Sequence, residues 1–330
     1  MLIKLKSVVV SLSPTVMTEH VIILIPVFND SESLNILLEK LTVELKEFSG
    51  TTFSVLIADD GSNNSLEIKV PALFSLQILH LQRNIGHQKA IAVGLAYINE
   101  NIPCNKVLVM DSDGEDRPED VAALLRSSSI NPDKIIFAQR KSRQEGKGFQ
   151  FFYRLYKIAF RILTGKRIAF GNFLLLPKPI LTKTVYYSEI WNHIAGGIIK
   201  TGLPYISIVT DRGKRYAGNS KMNFNSLLIH GLGAIAVFIE IIASRLLVFS
   251  LSLISISLLA ILALVGIRTF SDLAIPGWTS TVISAMLIIL LQSFLLSLFT
   301  IFLYLSSQSQ RKFIPAHHYK DYTGTVETIQ

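Results

Sequence analysis

Cysteine is almost absent: Cys104 is the only one in 330 residues. No internal disulfide can form, and a reducing compartment is expected. Charged residues are scarce, at 17% of the chain against roughly 25% in an average globular domain. No G-x-G-x-x-G follows the first apolar run, which excludes the dinucleotide fingerprint. The N-terminal MLIKLKSVVVSLSP is too short and too weakly apolar to read as a signal peptide. Internal repeats and low-complexity segments are also lacking.

Apolar residues are abundant, at 50%, and mean hydropathy is +0.44. The excess lies after residue 230, so a soluble domain followed by a membrane part is expected. The residues before it suffice for one full core. The net charge is +8, and beside a membrane, lipid headgroups explain it more simply than nucleic acid does.

Val21 to Pro26 reads as a buried strand, and Ser31 to Phe48 as a helix with apolar residues at 34, 37, 38, 41 and 45. Strands at Phe53 to Ala58, Leu76 to Leu81, Val107 to Met110 and Ile135 to Ala138 follow, with a helix over Gln88 to Asn99. Strand alternating with helix is the pattern of an α/β fold, a Rossmann-like, mostly parallel sheet with flanking helices.

Three strand ends are acidic or amide-rich: Pro26 to Asp30, with Asn29; Asp59-Asp60; and Asp111-Ser112-Asp113, followed by Gly114, Glu115 and Asp116. Open sheets of this kind bind ligands at the carboxyl ends of their strands. Carboxylates crowded after Met110 repel unless something positive sits among them, and Mg²⁺ or Mn²⁺ with phosphate oxygens suits such a set. Asp111, Asp113 and Glu115 are the candidate ligands. A solvated acidic turn, with Pro118 opening the next helix, is the simpler alternative. With the other two strand ends, the pattern points to a nucleotide-sugar pocket.

The PVFND start, the ADDGS turn, RNIGHQKAIAVGL, DSDGEDRPED, Arg140, FYRLYK around Arg154, GNF at 171 to 173 and RGKRYAGNSKM at 212 to 222 together resemble family 2 glycosyltransferases of the GT-A fold. More narrowly, they are similar to the polyisoprenyl-phosphate glycosyltransferases, the bacterial relatives of dolichol-phosphate mannose synthase. The resemblance implies metal-dependent, inverting transfer of a hexose from a UDP- or GDP-sugar donor to a polyisoprenyl phosphate acceptor such as undecaprenyl phosphate. It implies that Asp60, with Pro26, Asn29 and Asp59, serves the nucleotide, and that Asp111 and Asp113 serve the diphosphate and metal. Arg140 and Arg154 would hold the acceptor phosphate. Arg215 and Lys221 match the R-x-x-G-x-S-K pattern that would close over phosphate.

Two departures stand out. Glu115 and Arg117 replace a glutamine and a proline of the family pattern, and Asn172 stands where relatives often carry an acid proposed as catalytic base. Asn cannot take a proton. A phosphate acceptor is mostly dianionic at pH 7, its second pKa being about 6, so it needs positioning more than a base; Asp116 is the substitute base if one is required. Two competing readings are a glycan or lipid hydroxyl acceptor, and a non-catalytic scaffold for glycan assembly.

Leu246 to Ile267 and Thr279 to Leu305 carry no charge, and each exceeds the roughly 20 residues that span hydrocarbon. The expected division is a catalytic domain over 1–222, a juxtamembrane amphipathic helix over 223–245, a transmembrane hairpin over 246–305 and a tail over 306–330. Lys and Arg crowd both flanks of the hairpin and leave only Arg268 between, which places domain and tail in the cytoplasm, on the inner membrane. The basic and aromatic stretch from Arg140 to Arg167 reads as an interfacial surface on anionic lipid rather than a nucleic-acid site. Self-association is a further expectation from the resemblance.

Overall fold

The computed structural model describes residues 19–140, 147–166, 171–217, 231–270, 277–309 and 312–329. The α/β expectation is met. Strands β1 (Glu19–Val27), β2 (Thr51–Asp59), β3 (Ser75–Leu81) and β4 (Lys106–Val109) are mutually parallel. They belong to an eight-stranded sheet of order β7-β5-β6-β4-β1-β2-β3-β8. Beyond β4 lie β6 (Leu174–Pro177), antiparallel to both neighbours, then β5 (Ile135–Arg140) and β7 (Tyr205–Thr210), parallel to each other. The C-terminal ends of β1, β2, β4, β5 and β7 therefore open on one edge.

Helices cover both faces, which is why β1 is apolar at successive positions. Ile23 and Ile25 face α1 (Ser31–Leu45) and α3 (Pro118–Ile130), while Ile22 and Leu24 face α2 (His87–Asn101), α5 (Lys178–Thr184) and α6 (Ile194–Thr201). Helix α1 starts where Asp30 accepts from Ser33 N, and it buries Leu34, Leu37, Leu38, Leu41 and Leu45.

Helix α4 (Lys147–Thr164) is amphipathic and leaves the sheet. Phe160 packs edge-on against Phe238, and Tyr156 donates to the carbonyl of Gly231. Arg154, Leu155, Lys157, Ile158, Arg161 and Ile162 are exposed on it. Two helices among the described residues are long and apolar enough to cross a membrane: α7 (Ile239–Phe270) and α8 (Trp278–Ser309). Each is 32 residues, roughly 48 Å at 1.5 Å per residue, so both overrun a bilayer core and their ends protrude. The first begins before the expected Leu246, because Ile239 to Arg245 joins it as one helix. The hairpin seam is small and polar. Ser250 and Ser297 share a buried hydrogen bond, with Ser257, Ser293 and Thr300 buried alongside, while most large apolar side chains face outward, as lipid-facing helices require.

Residues 312–329, within the expected tail, turn back to the α/β domain. After α9 (Pro315–His318), strand β8 (Thr323–Ile329) pairs antiparallel with β3. Tyr319 is buried and accepts from Asn101, and Trp191 packs on Phe313 and Tyr322. At the head of α7, Glu240 meets Lys200 of α6, Lys312 and Gln308, tying both apolar helices to the domain.

Because β8 shares a sheet with β1, the chain between them crosses any bilayer an even number of times. Single cysteines placed at Val43 and Val326, both exposed, in a chain lacking Cys104 should react with a membrane-impermeant maleimide from the same side. Labelling from opposite sides would show that the pairing of β8 with β3 is absent in the membrane.

Candidate active site

The edge formed by the strand ends carries two loop systems. In the first, the turn after β2 packs on the loop before α2. Gly61 has φ +69°, and a Cβ there would lie 2.6 Å from Arg83 C, so the two loops meet backbone to backbone. Asp60 clamps them: its oxygens accept from Ile85 N at 2.7 Å and Gly86 N at 3.0 Å. Burial pushes its carboxyl above the usual range, against those two donors. Asp59 also looks inward, accepting from Ser62 N and pairing with His80. Asn29, at φ 51°, accepts from Asn63 N through its side chain. Asp59 and Asn29, expected to serve the nucleotide, thus hold the turn. Pro26 and Asp60 line a cavity of about 170 Å³ with Val27, Phe28, Asn84, Gly86 and His87.

The second system is the acidic turn after β4, and its carboxylates are neutralised by arginines of the chain itself. Asp113 accepts from Glu115 N and from Arg215. Glu115 is held bidentately by Arg212, at 2.7 and 3.2 Å, and by Arg140 at 3.2 Å. Asp116 accepts from Asp111 N at 3.0 Å and from Arg140 at 2.8 Å. The loop after β7 carries Arg212 and Arg215, and its backbone is sewn to the turn by Gly213 N to Glu115 O and Tyr216 N to Asp113 O. A Cβ at Gly213 would lie 2.0 Å from Gly114 O; only glycine allows that approach. Arg117, the residue replacing a proline, reaches Asp211 of the same loop at 3.7 Å.

Several expectations change. Glu115, expected as a third metal ligand, has both oxygens engaged by Arg212 and Arg140, which hold its carboxyl below the usual range despite burial. Among the described residues no group of three His, Cys, Asp or Glu side chains gathers to hold a metal ion. Asp111 and Asp113 remain as hard oxygen donors, and burial followed by the Asp111 charge raises the Asp113 carboxyl, which is the field a cation would relieve. Asp116 is a strut rather than a base, 3% exposed and used on both oxygens; burial and then Asp111 push it up to about 7. Arg140 is committed to Glu115 and Asp116, so it does not reach out to an acceptor. Arg154 is exposed on α4, outside this cluster. Lys221 lies outside the described residues.

Asn172 closes the cluster. It accepts from Gln88 at 3.0 Å and contacts His87 Nε2 at 2.9 Å, and that nitrogen lies 3.2 Å from Asp111 Oδ1. Partial burial works to lower the His87 pKa, but Asp111, then Asp116 and Asp113, outweigh it and raise it. Sequence reasoning missed His87, and it read Arg212 only as part of the basic segment at 212 to 222. Their only signal was position, His87 inside RNIGHQ and Arg212 opening RGKRYAG.

The sequence model described as Glycosyl transferase family 2 matches residues 22–188. An uncharacterized glycosyltransferase, sll0501, of Synechocystis is 26% identical over 276 residues, covering 81% of this chain and 85% of the relative. YkcC of Bacillus subtilis, also an uncharacterized glycosyltransferase, is 24% identical, covering 80% and 82%. The undecaprenyl-phosphate 4-deoxy-4-formamido-L-arabinose transferase of Photorhabdus laumondii is 28% identical over 132 residues, which span 38% of this chain and 39% of that protein. Glucosyl-3-phosphoglycerate synthase of Mycobacterium tuberculosis, solved with Mn²⁺, UDP-glucose and phosphoglyceric acid, aligns at TM-score 0.47 and 13% identity, covering 68% and 80%.

Removing Arg140 strands Asp116 in a dry position. Breaking a buried pair costs about 3–5 kcal/mol; with the Arg140 side chain 31% exposed, Arg140→Ala should cost on the order of 2–3 kcal/mol in denaturant unfolding. Asp116→Asn, which removes the charge and keeps an acceptor for Asp111 N, should cost less. The reverse ranking would contradict the strut role.

Proposed function

The chain belongs to glycosyl transferase family 2, and from this premise we propose that it moves one hexose from a UDP- or GDP-sugar to a polyisoprenyl phosphate such as undecaprenyl phosphate, with inversion. The observation that carries the reading is the meeting, on one sheet edge, of an open cavity at Asp60 and a carboxylate pair, Asp111 and Asp113, whose arginine partner sits on a separate loop. The undecaprenyl-phosphate transferase named above supports the acceptor class, and the two apolar helices support a membrane setting.

Pro26 and Asp60 shape the space for the nucleoside. Asp111 and Asp113 would hold Mg²⁺ or Mn²⁺, which when bound supplies positive charge to the departing diphosphate. Arg215 is bonded to Asp113, so Asp113 could serve a cation only if that guanidinium moved. The donor's diphosphate is the natural new partner for Arg215, since guanidinium matches phosphate as well as carboxylate. Arg215 would thereby exchange one anion for the other when the donor binds.

Asn172 does not obstruct this chemistry. A dianionic phosphate attacks the anomeric carbon without losing a proton first, and the sugar leaves the diphosphate from the opposite face. Helix α4 presents Arg154, Lys157 and Arg161 beside exposed Leu155, Ile158 and Ile162, the mixture that lies in a headgroup layer. Arg154 is assigned to the acceptor phosphate there. Tethering the domain by α7 and α8 confines donor and lipid to one plane and removes much of the entropy of encounter. Positive flanks of the hairpin put the domain on the cytoplasmic side.

Purified protein incubated with a panel of nucleotide sugars, Mn²⁺ and polyisoprenyl phosphate should yield a lipid heavier by one hexosyl residue and labile to acid; an acid-stable glycoside would point to a hydroxyl acceptor instead. Asp113→Ala should abolish transfer in a folded protein, and unchanged transfer would refute the site.

Arg215→Gln should bind Mn²⁺ alone more tightly than the wild type, because the competitor is gone, yet bind the nucleoside diphosphate with Mn²⁺ less tightly. Titration calorimetry reads both, and a change of the same sign in both would sink the exchange.

A further inference from the structure

Helix α4 is fastened to the segment that leads into α7, and the fastening points lie on one side of it. Tyr156 donates to Gly231 O at 3.1 Å. One turn on, Phe160 is 3% exposed and shares a cluster with Val237, Phe238 and Ile242, and with Ile199 of α6. Positions 156 and 160 are i and i+4, one stripe of a helix. The opposite side carries Arg154, Leu155, Ile158 and Ile162, all exposed.

The third point is at the end of α4. Arg245 of α7 donates from Nη1 to Ile162 O at 2.6 Å. The last four carbonyls of a helix have no partner inside it; Gly165 N takes the one before, Arg161 O. Gly165 has φ +72°, the left-handed turn that ends a helix, and a Cβ there would overlap the Arg245 guanidinium. The guanidinium therefore lies in the space that glycine leaves open, against the negative end of the α4 dipole. Arg245 is also the last charge before the apolar run from Leu246, which puts it at the level where water gives way to hydrocarbon. A carbonyl left bare at that level is costly. The arginine satisfies it and fixes the height at which α4 ends.

We propose that Arg245 is a positioning residue for the lipid acceptor: by capping α4 from the head of α7, it sets the depth at which Arg154 meets the headgroup layer. The acceptor part rests on the function proposed above; the cap rests on geometry alone. Ile162 O, Gly165 and Arg245 lie on elements other than those that build the donor edge, so donor binding should be indifferent to them.

The test uses the full chain carrying Cys104→Ser and Leu155→Cys, with an environment-sensitive fluorophore on the new thiol, in vesicles of phosphatidylcholine and phosphatidylglycerol. Arg245→Ala should shift the emission and raise the KM for polyisoprenyl phosphate roughly fivefold, the scale of one partly exposed hydrogen bond. Turnover and the Mn²⁺-dependent affinity for nucleoside diphosphate should stay unchanged. Gly165→Ala keeps Arg245 in the chain but pushes its guanidinium off the cap. It should move both readouts in the same direction, and by less once Arg245 is already alanine. Additive effects of the two substitutions, or an emission unmoved by Arg245→Ala, would make Arg245 a plain headgroup anchor and overturn the cap. A shifted emission with an unchanged acceptor KM would support the cap and overturn the acceptor role of α4. A wild type that transfers no sugar to lipid phosphate would remove the function proposed above, and the emission would still decide the cap.

Discussion

The catalytic edge depends on arginines placed among carboxylates. Asp113, Glu115 and Asp116 would repel one another in a half-buried turn, and a bound cation is the obvious remedy from sequence alone. In the folded chain Arg140, Arg212 and Arg215 sit among them. Guanidinium suits the task because its planar fork can bond two carboxylates, as Arg140 does, or one carboxylate twice, as Arg212 does. The strut pairs sit deepest, with Asp116 almost inaccessible, while the Asp113–Arg215 pair belongs to a loop that arrives from the far strand β7.

The same edge is tied mechanically to the apolar helices. Lys200 of α6 bridges Glu189 and Glu240, and Glu240 heads α7 and meets Gln308 in the last turn of α8 and Lys312 after it. The other end of α6 donates through Ile194 N into the Gln88–Asn172–His87 relay. One short helix is therefore bonded both to the head of α7 and to Gln88, two hydrogen bonds from the ring beside Asp111. The return of the C-terminus to β3 adds a second tie and covers what would otherwise be an open sheet edge.

Much of the architecture was legible in the chain. β1 to β5 announce themselves as short apolar runs ending in polar residues, and α1 and α2 by their periodicity. The last three strands did not. β6 is four residues, LLLP, too short to separate from its surroundings. β7 is half exposed along its length, and β8, TGTVETI, is exposed at nearly every position and follows two apolar helices. Such strands exist because a neighbour's backbone offers hydrogen bonds, and side-chain pattern carries little of that information.

The sequence by itself determined the kinds of chemistry present: a D-x-D at a buried strand's end, a surplus of arginine nearby, an amide at position 172, and two runs too long and apolar for a soluble core. Those properties belong to residue types and their local order. Which arginine meets which carboxylate, and that His87 rather than a distant base stands beside Asp111, was decided only by the tertiary structure. Arg215 and Asp113 are 102 positions apart in the chain, and both hydrogen bonding and Coulomb attraction depend on separation in space, which the strand order β7-β5-β6-β4 sets.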